Sequence, residues 1–122
     1  MSNELLAGRR ILVVEDEMLV LMTIESMLGD LGCEFVAAAA TVDQALALIG
    51  MHAFDAAVLD VNLNGDQSYP VADALSVRSV PFAFSTGYSV EGMREDYRDR
   101  PVLRKPYQLG GLVHILTGLL DS

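Results

Sequence analysis

Apolar and polar positions alternate in blocks along this chain. Ile11, Leu12, Val13 and Val14 in "RRILVVED" form an apolar run with charge on both sides, the pattern of a strand buried on both faces. "EMLVLMTIESMLGDLG" follows, with Leu21, Ile24, Leu28 and Leu31 at helical spacing and a stop around Gly29 and Gly32. "EFVAAAA" is a second strand candidate. "TVDQALALIGM" opens on Thr41, a candidate N-cap, and repeats an apolar face at Ala45, Leu48 and Ile49. "FDAAVLDVN" predicts a third buried strand, "YPVADALSVR" a short helix, "VPFAFSTG" a fourth strand and "PVLRKP" a very short fifth. "QLGGLVHILTGLL" predicts a last helix with Leu109, Leu112, Val113 and Leu116 on one face. Between the fourth and fifth strands, "SVEGMREDYRDRP" has Gly92 near its start and a weak apolar face. A fourth helix there is expected to be short or mobile.

Strands alternating with helices imply an α/β fold with a doubly wound five-stranded parallel sheet. Ligands of such sheets sit outside the carboxyl ends of the strands. The residues just after each strand are therefore the ones to inspect.

Composition narrows the class. The 122 residues fit one domain, 1–122, and 52% are apolar, enough for a core. No uninterrupted apolar run approaches the roughly 18 residues of a membrane span, and "MSNELLAGRR" does not read as a signal peptide. One cysteine, Cys33, cannot form an internal disulfide, so a reducing, cytoplasmic setting is expected. A net charge of −9 repels nucleic acid and anionic membranes, so neither is an expected partner.

The strand ends carry the chemistry. Glu15, Asp16 and Glu17 follow strand one, Asp60 ends strand three, Ser85 and Thr86 end strand four, and Lys105 follows strand five. Lys105 is the only lysine, beside seven arginines. Two carboxylates about 5 Å apart repel by about 3 kcal/mol at an effective dielectric of about 20. Several gathered on one rim call for a neutralising cation. Hard carboxylate oxygens without nearby His or Cys suit Mg²⁺ rather than Zn²⁺.

This set of spaced residues resembles the receiver domain of two-component response regulators, over about residues 9 to 120. The resemblance implies the flavodoxin-like (βα)5 fold and a stand-alone receiver with no output domain. It matches Asp60 in "AAVLDVN" to the phosphoacceptor, and Glu15 and Asp16 in "VVEDE" to the acidic pair that helps hold Mg²⁺. Asn62 would add its backbone carbonyl to that site. Thr86 matches the hydroxyl that moves to bond the phosphoryl group, and Lys105 the lysine that pairs with it. The implied partners are a histidine kinase or a phosphotransfer protein and, downstream, a further protein. Apart from its own phosphotransfer and dephosphorylation, such a domain is not an enzyme.

"PFAFSTGY" and "NLNGDQSYPVADAL" further resemble a receiver subfamily called FATGUY, with the stretch PFxFATGY. Its kinases typically belong to the HWE or HisKA2 groups. Ser85 departs from the alanine usual there, and Asn64 stands where common receivers have proline. Most receivers also carry Tyr or Phe three residues before the lysine, where this chain has Val102. The usual aromatic swing is therefore absent, and Gly87 and Tyr88 are the candidate switch residues, one flexible and one large and amphipathic.

Blander readings apply elsewhere. His52 and His114 are expected at the surface or at helix ends, and Cys33 as a small packing residue. Met18, Met22 and Met27 read as core or partner surface. The competing function is a small haloacid-dehalogenase-like phosphatase with Asp60 as nucleophile. It is disfavoured because Asn62 stands where that family needs an acid.

Overall fold

A computed structural model describes residues 6–63, 66–86, 97, 100–104 and 109–120. Its elements in chain order are β1 (Arg10–Val14), α1 (Met18–Asp30), β2 (Phe35–Ala39), α2 (Val42–Met51), β3 (Ala56–Asp60), β4 (Asn62–Leu63), β5 (Asp66–Gln67), α3 (Tyr69–Val77), β6 (Phe82–Thr86), β7 (Val102–Arg104) and α4 (Leu109–Leu120). Five strands form one sheet in the order β2-β1-β3-β6-β7, and every pairing in it is parallel. The segment 87–96, where the sequence places a weak helix, lies outside the described residues.

Alternation along the strands sorts the core into two halves. Leu12 and Val14 of β1, Ala57 and Leu59 of β3, and Phe82 and Phe84 of β6 face α2 and α3. Ile11 and Val13, Ala56 and Val58, and Ala83 face α1 and α4. Successive side chains of a strand point to opposite faces, so helices on both faces require continuous apolar runs. The runs read in the sequence have this origin.

The helices keep the predicted faces with one change. Leu21, Ile24 and Leu28 of α1 are buried, and Gly32 ends that turn at φ +89°, a left-handed conformation that favours glycine. Met18 and Met22 are exposed and Met27 half-buried, so two of these three lie on the surface. Thr41 caps α2 as expected: its Oγ1 accepts from the Gln44 amide at 3.1 Å. Thr41→Ala should lower stability by about 1 kcal/mol in urea unfolding, and a change below a few tenths would show that the cap contributes nothing. Among the described side chains of α4, Leu112, Leu116 and Leu119 are buried and Val113 is only partly buried, while the Leu109 side chain lies outside them. The inward stripe therefore runs one turn further toward the C-terminus than the sequence pattern suggests.

Three features have no counterpart in the pattern. β4 and β5 form a small antiparallel pair, Asn62 opposite Gln67, directly after β3. Leu6 is fully buried, and its amide donates to the Leu31 carbonyl at 3.0 Å. Tyr97 is also buried and belongs to the α2/α3 half of the core. At the amino ends of the strands, Arg10 donates from its amide to Asp55 Oδ2 and from Nε to the Ala53 carbonyl, both at 2.8 Å. Its guanidinium also lies 3.5 Å from Glu34.

Candidate functional site

Register brings the acids together. Val14 pairs with Leu59, so the next residues, Glu15 and Asp60, leave adjacent strands at the same level. The Glu15 amide donates to the Ala39 carbonyl at 2.9 Å, which holds it to β2 as well. Oxygens from Glu15, Asp16 and Asp60 all lie within 4.8 Å of one another. Glu15 and Asp60 are buried, at 1% and 7% exposure, and Asp16 is half-buried. Glu17 is exposed.

Two backbone amides meet this cluster. The Glu17 amide donates to Glu15 Oε1 at 3.1 Å, and the Asn62 amide to Asp60 Oδ1 at 3.2 Å. Both contacts span two residues, so each carboxylate is oriented by the turn that follows its own strand.

The neighbouring strand supplies hydroxyls. Asp60 pairs with Ser85, and the Val61 amide donates to the Ser85 carbonyl at 3.2 Å. Ser85 and Thr86 are buried. Thr86 pairs in turn with Arg104, the residue before Lys105. Glu15, Asp16, Asp60, Asn62 and Thr86 thus share one rim of the sheet. Lys105, Gly87 and Tyr88 lie outside the described residues.

The donor set fits a divalent cation. It offers hard oxygens at short mutual distance, and two of the three carboxylates are withdrawn from water, where their repulsion is least screened.

Sequence and structure comparisons identify the family. Residues 11–117 match the response regulator receiver domain. The chain belongs to that family. Among solved structures this receiver is similar to SdrG from Sphingomonas melonis Fr1, with 45% identity and a TM-score of 0.81, covering 93% of this chain and 97% of that one. A structure of SdrG in a BeF3-activated conformation matches at 44% identity and a TM-score of 0.80, covering 93% of this chain and 98% of that one. The receiver domain of the sensor histidine kinase PA1611 from Pseudomonas aeruginosa matches at 29% identity and a TM-score of 0.82. That match covers 95% of this receiver and all of the other chain, which holds a magnesium ion in its active site cleft. The transcriptional regulatory protein PdtaR of Mycobacterium tuberculosis is 29% identical over 109 residues, 86% of this chain. The receiver spans about half, 53%, of that curated relative's length. None of its described helices is long and apolar enough to cross a membrane.

Sequence reasoning passed over Tyr97 and Asp73. Tyr97 is buried at 5% exposure, and its hydroxyl donates to Asp73 Oδ1 at 2.5 Å. Tyr97 sits among charges in "REDYRDR", where no apolar period marks it as a core residue. Val102, which stands where most receivers have an aromatic residue, packs against the same half of the core.

Proposed function

We propose that this receiver accepts a phosphoryl group on Asp60 from a histidine kinase or a phosphotransfer protein, and then changes its binding to a downstream protein. The observation that carries this reading is the convergence of Glu15, Asp16 and Asp60 within 4.8 Å on the rim that also holds Thr86. The likeness to SdrG, a protein with a BeF3-activated conformation, supports it.

Glu15, Asp16 and Asp60, with the Asn62 carbonyl, would hold Mg²⁺, in keeping with the magnesium in the PA1611 receiver. When bound, Mg²⁺ supplies positive charge that offsets the carboxylates and the incoming phosphoryl oxygens. An Asp60 oxygen attacks the phosphorus and forms an acyl phosphate. The phosphorus–nitrogen bond of a phosphohistidine donor breaks, and the departing imidazole keeps the electron pair and takes a proton. The Asn62 amide fixes the Asp60 carboxylate for in-line attack. The Thr86 hydroxyl then bonds the new phosphoryl group, and Lys105 pairs with it as a flexible point charge. The added charge, roughly −1.5 to −2 by analogy with phosphorylated hydroxyls, biases the segment that follows Thr86, with Gly87 and Tyr88 as its first residues. Kinases of the HWE or HisKA2 groups and a cytoplasmic setting accord with the FATGUY-like stretch and the single cysteine.

Stoichiometry separates this role from phosphatase chemistry. With acetyl phosphate and Mg²⁺, the receiver should consume about one equivalent per chain in a rapid phase and then turn over only as fast as its own acyl phosphate hydrolyses. Sustained turnover of phosphate monoesters would favour the phosphatase instead.

A further inference from the structure

Tyr97 joins two parts of the molecule that its neighbours in sequence do not explain. Its ring stacks on Tyr69 at 6.1 Å and meets Phe82 and Phe84 edge-on, both at 5.7 Å. Its hydroxyl reaches past this cluster to the carboxylate of Asp73, on the second turn of α3. Ser76 Oγ lies 3.5 Å from the same hydroxyl. A phenol donating to a carboxylate makes a short, charge-assisted bond. Such a bond is directional and weakens steeply when its geometry is disturbed.

The row that carries the ring ends at the site. Phe82 and Phe84 lie on the α2/α3 face, and strand alternation places Thr86 on that face next. Phe84 pairs with Val102, which packs against the same cluster. Movement of the Thr86 side chain toward Asp60 therefore removes packing from the end of the row that seats Tyr97. A close-packed cluster answers such a loss by shifting its rings.

We propose that the Tyr97–Asp73 contact is a latch between the aromatic cluster and α3, and that loading of Asp60 releases it. The proposal rests on the reading of Asp60 as phosphoryl acceptor. It assigns the outgoing signal to α3, whose Ser76, Val77 and Arg78 end is exposed. The unloaded form holds α3 through Asp73. In the loaded form the ring shifts, the hydroxyl leaves Asp73, and the end of α3 becomes free to fray.

Amide hydrogen exchange with Mg²⁺, with and without beryllofluoride, tests this. Beryllofluoride occupies the place of the phosphoryl group on the carboxylate. In the wild type, NMR shifts at Val61 and Asn62 report occupation of Asp60. Exchange at Leu75 to Val77 should then accelerate about fivefold or more, as expected when local opening becomes easier. Tyr97→Phe keeps the ring and removes the hydroxyl. It should show the same shifts at Val61 and Asn62, but with α3 already exchanging fast and changing less than about twofold on loading. Asp73→Ala should behave in the same way from the other side of the contact. A merely structural hydroxyl would speed α3 exchange equally in both forms and preserve the ratio, which overturns the latch. Shifts at Val61 and Asn62 with unchanged α3 exchange in the wild type overturn it too, and leave the reading of Asp60 standing. If beryllofluoride fails to shift Val61 and Asn62 at all, Asp60 is not an acceptor and the latch fails with it.

Discussion

Asp60→Asn should take up no phosphoryl group from acetyl phosphate or a phosphorylated kinase, whereas the wild-type chain should take up one. The substitution exchanges a carboxylate oxygen for an amide nitrogen of nearly the same size. The remaining side-chain oxygen still accepts from the Asn62 amide, so the turn after β3 keeps its hydrogen bond. What is lost is the nucleophile, because an amide cannot form the acyl phosphate. The neighbouring carboxylates are poor substitutes. Glu15 is 1% exposed and bound through Oε1 to the Glu17 amide. Asp16 is more accessible, and it belongs to the turn before α1 rather than to the end of β3. Intact-mass measurement after a brief incubation reads the result directly, and equal labelling of the two proteins would remove Asp60 from the acceptor role.

The same substitution should also reverse the order of stability as metal is added. With a chelator present, Asp60→Asn should be the more stable protein. Each pair of charges at about 5 Å costs about 3 kcal/mol at an effective dielectric of about 20, and the substitution removes two pairs. Asp16 is half-buried, so solvent screening reduces the gain to about 2 kcal/mol. That corresponds to a melting temperature higher by about 5–10 °C for a domain of this size. Mg²⁺ at about one hundred times its dissociation constant should return about 2.7 kcal/mol to the wild type by mass action, enough to exceed that difference. The variant, with one of its three carboxylates gone, should gain far less. Thermal unfolding of both proteins in chelator and in Mg²⁺ gives the four values needed. Equal wild-type and variant melting temperatures in chelator would show that the carboxylates do not repel as their separation requires.

The sheet was legible in the sequence because helices cover both of its faces. Ile11–Val14 and Ala56–Leu59 must be apolar at every position, and such runs stand out against charged flanks. The site was legible for a related reason. Parallel strands end on one rim, so residues at strand ends meet there whatever lies between them in the chain. Glu15, Asp16 and Asp60 were therefore nameable together, although their 4.8 Å separation depends on the pairing of Val14 with Leu59. Patterning fails for short or isolated contacts. Two-residue strands such as β4 and β5 are shorter than one period of any amphipathic signal. Tyr97 is held by Asp73 and by three rings contributed from β6 and α3, none near it in sequence. Leu119 rather than Val113 completes the inner stripe of α4, because helical spacing leaves the width of a buried arc open.

The buried Leu6 settles how this molecule can be handled in an assay. Its amide is fastened to Leu31 at the far end of α1, and Arg10 with Asp55 and Glu34 marks that same end of the sheet. β1 then carries the chain across the full depth of the sheet, about 16 Å for five residues, before Glu15 emerges at the carboxylate rim. Leu6 therefore anchors the chain on the side of the sheet opposite Asp60. Coupling through that end of the sheet should leave the carboxylate rim turned toward solution.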